Sequence, residues 1–226
     1  MKEVFFLKKF IALTTMLAIT ILSTGCLTKN EESQKYSDYI KSAMDASYLN
    51  NNTKYLELAD VTEDDTKKLY DNTVEYLAYS IMNYNNVNYD VISEDIIDEY
   101  INLAKTALNK TKYTINDAKK VDGKYQVKLE IEPLNFWESS YDDVDNYIEE
   151  FSNKYNNYDS MTNEEITLAE EEYANKILDI LTPYVKDMDY KEKVSKIVEI
   201  EIDDDGKYGI SDNDWNDIDD YVMGTK

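Results

Sequence analysis

The sequence of 226 residues contains no histidine, no arginine and a single cysteine. Without histidine there is no imidazole base for a serine or cysteine nucleophile. Without arginine there is no bidentate guanidinium to hold phosphate or carboxylate groups. The five glycines are isolated from one another, so no glycine-rich loop can cradle a nucleotide. These absences argue against most hydrolases, phosphoryl transferases and nucleotide-cofactor enzymes.

The charge is strongly acidic, with 24 basic against 47 acidic residues and a formal net charge of −23. Such a field repels phosphate backbones, so nucleic acid is not expected as a partner. Hydrophobic residues make up 42% of the chain and aromatic residues 12%. This content is sufficient for a core, and the composition therefore predicts a folded acidic protein.

The first 26 residues have the organisation of an export signal. Lysines at positions 2, 8 and 9 precede a mostly apolar run at 10–22, which Ser23-Thr24-Gly25-Cys26 closes. The run is shorter than the roughly 20 residues that a membrane-spanning helix needs. We therefore interpret residues 1–25 as a signal peptide.

The Gly25-Cys26 ending resembles the lipobox of bacterial lipoproteins, in which the cysteine becomes the lipidated first residue of the mature chain. Ser23 departs from that pattern, because the family usually has leucine there. The alternative is an ordinary secretory leader with a chance cysteine. The resemblance implies lipidation at Cys26 and attachment to the extracellular face of the cytoplasmic membrane. A diacylglyceryl anchor supplies two acyl chains, which suffice for stable attachment.

Beyond the leader we predict a polar tether at 26–34 and a single acidic domain at 35–226. Apolar residues recur at helical spacings of three and four within 36–47, 69–84, 97–108, 144–151, 166–181 and 215–222. Thr62 with Asp65 and Thr162 with Glu165 fit capping boxes at two of the helix starts.

Two segments alternate instead with the period of a strand. Residues 125–131 alternate apolar with polar side chains, as do residues 113–115 upstream, and Asp122-Gly123 gives a turn between them. Residues 194–202 lead in the same way to a turn at Asp205-Gly206. The pattern predicts an α+β fold with helices packed on one face of a four-stranded antiparallel sheet.

This arrangement resembles uncharacterised lipoproteins of Gram-positive bacteria that carry a domain of unknown function. The resemblance rests on the helix at 36–49, the hairpin at 113–132 running into Pro133, and the Asp205-Gly206 turn with its acidic last helix. It implies an α+β fold similar to the cystatin-like or NTF2-like cone. It supplies no activity and no site residues.

The polar face of the sheet is the first candidate binding site. Gln126, Lys128 and Glu130 alternate with the apolar residues of one strand and would face water or a ligand. Phe136-Trp137 follows Pro133 at a strand exit, where an aromatic pair often rims a pocket. The alternative for the pair is to close one end of the core.

An acidic segment at 201–212 is a candidate calcium loop. Glu201, Asp203, Asp205 and Asp212 stand at positions 1, 3, 5 and 12 of an EF-hand-type spacing, with Gly206 at position 6. An EF-hand normally has aspartate at position 1 and glutamate at position 12. These departures favour a hairpin turn followed by a helix capped by Ser211. Ca²⁺ stays open as a ligand, and we predict no other cofactor.

Three function classes follow from these observations. The first is a non-enzymatic binding module for a small envelope or extracellular ligand. The second is an envelope protein that docks on a protein partner through its acidic helical surface. The third is a hydrolase that uses carboxylates alone, for which the sequence selects no catalytic residue.

Overall fold

The computed structural model describes residues 29–202 and 208–226. The chain divides into two compact units that are interleaved along the sequence. The first unit contains the described residues up to Thr73, Thr111–Pro133, and the described residues from Glu192 onward. The second unit contains Val74–Lys110 and Leu134–Lys191. The single domain expected at 35–226 stays a prediction.

Eight α-helices and five strands make up the described chain. The helices are α1 (Lys29–Leu49), α2 (Thr53–Leu58), α3 (Glu63–Tyr84), α4 (Glu94–Leu108), α5 (Phe136–Ser139), α6 (Tyr141–Lys154), α7 (Asn163–Lys186) and α8 (Asp212–Met223). The strands are β1 (Lys112–Ile115), β2 (Lys119–Val121), β3 (Lys124–Glu132), β4 (Val194–Ile202) and β5 (Tyr208–Gly209). The predicted α+β class is confirmed.

The sheet is antiparallel and has the order β1-β3-β4-β5. β1 pairs with one half of β3, from Lys112 opposite Glu132 to Ile115 opposite Leu129. β2 pairs with the other half of the same edge of β3. The upstream strand of the predicted first hairpin is therefore broken into two pieces, which gives a fifth strand. Whether the fold belongs with the cystatin-like or NTF2-like cones stays a prediction.

The β2–β3 hairpin turns at the predicted Asp122-Gly123 pair. Both residues have positive φ, 49° at Asp122 and 90° at Gly123. A two-residue hairpin turn of this kind requires the left-handed region at both positions, which glycine and aspartate adopt more readily than most residues. The sequence signal for this turn is therefore confirmed.

In the first unit, helices α1 and α8 cover the apolar face of the sheet. Tyr125, Val127, Leu129 and Ile131 of β3 are all buried on this face. The ring of Tyr36 in α1 lies 4.4 Å from that of Tyr125 between centroids. On the α8 side, Lys196 Nζ of β4 pairs with Asp214 at 2.9 Å and with Asp217 at 2.6 Å. The helices therefore lie on one face of the sheet, as predicted.

In the second unit, α4 and α7 pack together. The Tyr100 hydroxyl of α4 donates to the Ala174 carbonyl of α7 at 2.8 Å. The buried face of α4 contains Ile96, Tyr100, Leu103, Ala104, Ala107 and Leu108. Ile97 and Ile101 also fit the predicted helical spacing within 97–108, but both are partly exposed because the buried face is rotated by about one residue.

Both predicted capping boxes form. Thr162 Oγ1 accepts from the Glu165 backbone N–H at 3.3 Å, and Glu165 Oε2 accepts from the Thr162 backbone N–H at 2.8 Å. Thr62 and Asp65 make the same reciprocal pair. Ser211 caps α8 as expected, since its hydroxyl accepts from the Asp214 N–H. Residues 29–34, predicted as tether, are instead the first turns of α1.

Candidate functional site

A surface cleft of about 320 Å³ lies in the first unit between α1 and β1. This α1–β1 cleft has a volume at the lower end of the range of small-ligand pockets. Its helical wall is made by Lys41, Asp45 and Leu49. These residues are spaced by four along α1, so they form a stripe on one flank of the helix.

The strand wall of the cleft consists of Thr111–Thr114 with Glu130 and Glu132 of the neighbouring β3. Asp45 connects the two walls. Its carboxylate accepts a hydrogen bond of 2.7 Å from the Tyr113 hydroxyl and pairs with Lys41 Nζ at 2.5 Å. Burial and the bond to Asp45 raise the pKa of the Tyr113 hydroxyl, so this phenol stays protonated and acts as a donor.

The carboxylates of the strand wall lie near lysines. Glu130 pairs with Lys128 at 2.7 Å, and Lys193 lies 3.9 Å from Glu130 and 3.7 Å from Glu132. The hydrogen bond and the charge of Lys128 lower the pKa of Glu130. A carboxyl group with a lowered pKa is a poor general acid at neutral pH. Glu130 is therefore better suited to pairing with a polar ligand than to donating a proton.

One hydroxyl in the cleft is left unsatisfied. Thr111 Oγ1 is buried and has no hydrogen-bond partner among the described residues. A buried hydroxyl without a partner costs about 1–3 kcal/mol, so such a group usually marks a missing water or ligand atom. This hydroxyl is closed off from the surface, so it is an unpaired group in the wall beside the cleft and not a contact point for a ligand.

The structure divides the predicted sheet-face site between the two units. Gln126, Lys128 and Glu130 share the open face of β3 in the first unit, and Glu130 also lines the cleft. Phe136 and Trp137 belong to the second unit, where they form α5 with exposed fractions of only 0% and 4%. The accessible aromatic rim predicted there is not formed.

The burial of the aromatic pair has a clear physical cause. After Pro133 the chain is held by a bridge between Leu134 and Tyr190 and turns directly into α5. The two rings then pack against each other with tilted planes, 4.3 Å apart between centroids, and the edge of one ring meets the other in the Trp137–Tyr84 pair at 5.0 Å. Packing the rings together removes a large apolar area from water. The alternative of closing the core describes them better.

The calcium hypothesis falls partly outside the described residues. Asp203 and Asp205 lie there, Glu201 is an exposed residue of β4, and Asp212 begins α8. Among residues 29–202 and 208–226 no group of three or more acidic or cysteine side chains could hold a metal ion. Calcium binding stays a prediction. Cys26 also lies outside the described residues.

A second cavity, of about 520 Å³, lies in the second unit at the end of α7. Asp143, Asp187 and Asp189 line it together with Pro183 and Tyr184. The Tyr184 hydroxyl donates to Asp143 across this cavity. It is acidic and more exposed than the α1–β1 cleft. We therefore take the cleft as the candidate site.

Comparison with known proteins gives a likeness of fold. No family model matches the sequence, and no curated protein matches it either. The crystal structure of ycdA from Bacillus subtilis, described as a candidate lipoprotein, superimposes with a TM-score of 0.57 at 13% sequence identity. The match covers 84% of this chain and 56% of ycdA. At this identity it shows that the two chains share a fold.

The helical wall of the cleft was missed by the sequence analysis. Lys41, Asp45 and Leu49 carry a visible signal, a spacing of four on a predicted helix. Their approach to β1 depends on contacts such as Tyr113 with Asp45, which are 68 residues apart. A pattern within a few residues cannot predict a contact between residues so far apart in the sequence.

The structure also contains, in its described part, no helix with the length and apolar character to cross a bilayer.

Proposed function

We propose that the chain is an exported, lipid-anchored protein of the cell envelope that binds a small polar ligand in the α1–β1 cleft without catalysing a reaction. The observation that carries the binding role is the cleft itself, whose lining has charges of both signs. The leader ending at Cys26 and the fold shared with a candidate lipoprotein support the envelope location.

The lining favours a ligand that carries both donors and acceptors. Lys41 and Lys112 supply cationic groups, and Asp45, Glu130 and Glu132 supply carboxylates. Most of these charges already have partners within the unit, and carboxylates outnumber lysines in the lining, so an acidic ligand would be repelled and would have to disrupt those pairs. Zwitterionic or amide-rich molecules match this lining.

The binding role is tested with a variant that fills the cleft. Thr114 is exposed, lines the cleft and lies opposite Glu130. Thr114→Trp should occupy the cavity without removing a structural partner. Ser195→Trp is the matched control, because Ser195 is exposed and lies opposite Glu130 from the other side, on β4.

The measurement is native mass spectrometry of the full-length protein extracted from membranes in detergent. We expect an added mass on the wild type and on Ser195→Trp that is absent from Thr114→Trp. Equal spectra for all three proteins would contradict binding in the cleft. If Thr114→Trp kept the added mass and Ser195→Trp lost it, the ligand would bind outside the cleft.

The anchor is tested separately through Cys26. In cells labelled with palmitate, the wild-type protein should carry the label and partition into the detergent phase. Cys26→Ala should lose both properties, because no acyl chain can then be attached. A labelled Cys26→Ala protein would contradict lipidation at this residue.

A docking role is the second candidate, and it rests on the open face of the sheet. Ile197 of β4 is 59% exposed there, surrounded by the ion pairs of Lys124 with Glu199 and Lys128 with Glu130. An exposed aliphatic group inside a polar surface is common at protein contacts. Cross-linking in cells would test this role. A protein that cross-links to the wild type should no longer cross-link to Ile197→Asp.

A further inference from the structure

Within residues 29–202 and 208–226, β1 pairs with a strand on one side only and lies at an edge of the sheet. The Asn116 N–H donates to the Lys128 carbonyl at 2.9 Å, which fixes the residues of β1 that bond to β3. Because antiparallel ladders alternate, Lys112 and Thr114 also point their backbone groups toward β3. The N–H and C=O groups of Tyr113 and Ile115 therefore point away from the sheet.

Helix α1 closes the neighbouring part of the same edge. The Ser37 hydroxyl donates to the Asn116 carbonyl at 3.0 Å and accepts from the Ala118 N–H at 2.7 Å. The Ser33 hydroxyl donates to the Ala118 carbonyl. These bonds satisfy the edge at 116–118 with side chains in place of a strand. Tyr113 lines the cleft, so at that residue the edge of the sheet borders a cavity.

We propose, on the basis of the binding function proposed above, that the ligand of the α1–β1 cleft is an extended peptide segment that adds to β1 as an antiparallel or parallel strand. A groove between a helix and an edge strand is a recurring peptide-binding geometry, in which main-chain hydrogen bonds supply affinity. Tyr113 and Ile115 each offer one donor and one acceptor to such a strand.

Charge identifies the class of peptide. The cleft is lined by three carboxylates and two lysines, and the whole chain has a net charge of −23. A field of this sign attracts cationic segments and repels acidic ones. The segment is therefore basic, with lysine or arginine alternating with small residues. One of its side chains would lie beside Asp45 on the helical wall.

The opposing interpretation is that β1 is a protected edge. It is short and carries Lys112, and short strands with lysine are a common defence against unwanted pairing. This interpretation predicts that no peptide slows exchange at Tyr113 or Ile115. The two interpretations therefore differ in a measurable property of two amide protons.

The test is residue-resolved hydrogen exchange of the full-length protein in detergent, with and without the octapeptide Lys-Thr-Val-Lys-Val-Thr-Val-Lys at millimolar concentration. At about 90% occupancy, exchange at Tyr113 and Ile115 should slow about tenfold, while Thr114 changes little because it is already bonded to β3. The control peptide has the same sequence with alternate amides N-methylated, which retains the charge and removes the donors.

Three outcomes decide the proposal. Protection of Tyr113 and Ile115 by the first peptide, lost with the methylated peptide and in Thr114→Trp but retained in Ser195→Trp, supports strand addition. Equal protection by both peptides, or protection at other residues, overturns it. Absence of protection overturns it as well. If no peptide protects these amides but the wild type still carries a bound mass that Thr114→Trp abolishes, the proposed binding function stands without strand addition. If there is no such mass, both the binding function and strand addition are contradicted.

Discussion

At the scale of single residues, two aspartates of α8 respond to pH in opposite ways. Burial raises the pKa of Asp219 to about 6, and its carboxylate accepts a hydrogen bond from the buried Tyr48 hydroxyl. Hydrogen bonds from Lys196 and Lys226 lower the pKa of Asp217 to about 2. One group therefore opposes folding when it is charged, and the other supports it.

We expect Asp219→Asn to stabilise the protein at neutral pH. A folded-state pKa above the unfolded value means that stability is lost as pH rises from about 4 to 6, because a buried carboxyl group must ionise. The shift of about two pKa units corresponds to about 3 kcal/mol. Asparagine can still accept from Tyr48. The free energy of unfolding in urea should therefore rise at pH 7 and change little at pH 4.

The matched control for this change is Asp220→Asn on the same helix. Asp220 accepts from the Thr225 hydroxyl, which asparagine can also do. If both substitutions stabilised the protein equally, general relief of negative charge would explain the effect. A loss of stability in Asp219→Asn at pH 7 would show that the ionised carboxylate is favourable.

Lys196→Met should destabilise the protein. Lys196 is only 19% exposed in its side chain and bonds to both Asp214 and Asp217. Without it Asp214 and Asp217 lose a shared cation, although Asp217 keeps Lys226. Because Asp217 has a lowered pKa, its contribution is present above about pH 4 and is lost as pH falls toward 2. Urea titrations at pH 7 and pH 2.5 should show a larger difference at pH 7.

At the scale of elements, the helix ends were the most predictable features. The capping boxes at Thr62 and Thr162 and the turn at Asp122-Gly123 depend on residues three or fewer positions apart, so local pattern identifies them. The break between β1 and β2 does not have such a signal. It depends on Ser33 and Ser37, which bond to residues 116 and 118 about 80 positions away.

The same limit applies to the candidate site. Glu130 was predicted from alternation within β3, and it does line the cleft. The Phe136-Trp137 pair was predicted as a rim because its position after Pro133 is visible. Its burial depends on Tyr84, more than 50 residues earlier, which packs against Trp137. The alternation thus predicted which side chains of β3 share a face, but not which residues from distant parts of the sequence pack near the end of the strand.

We expect Thr162→Ala to weaken α7 by about 1 kcal/mol, since the change removes an N-cap oxygen and its hydroxyl bond to Glu165. Thr167→Ala is the control, because Thr167 lies inside the same helix and alanine has the higher helix propensity. The free energy of unfolding should fall in the first variant and stay equal or rise in the second. Equal losses in both would contradict a capping role.

At the scale of the whole molecule, the charge of −23 should make stability depend on salt. The described lysines pair mainly with single exposed carboxylates, and such pairs contribute little. Repulsion among the many remaining acids is long-ranged and is screened as the Debye length falls from about 30 Å to about 3 Å. The urea midpoint should therefore rise between 10 mM and 1 M salt, and a falling midpoint would contradict net repulsion.

The early start of α1 determines how the molecule would transmit force. Only Leu27 and Thr28 separate Cys26 from Lys29, where the helix begins. A pull on a lipid at Cys26 would therefore load α1 almost directly. Asp45 stands about 24 Å further along the same helix. Tension applied at the anchored end would reach the wall of the cleft through one continuous helix. Membrane attachment and ligand occupancy would therefore be mechanically coupled.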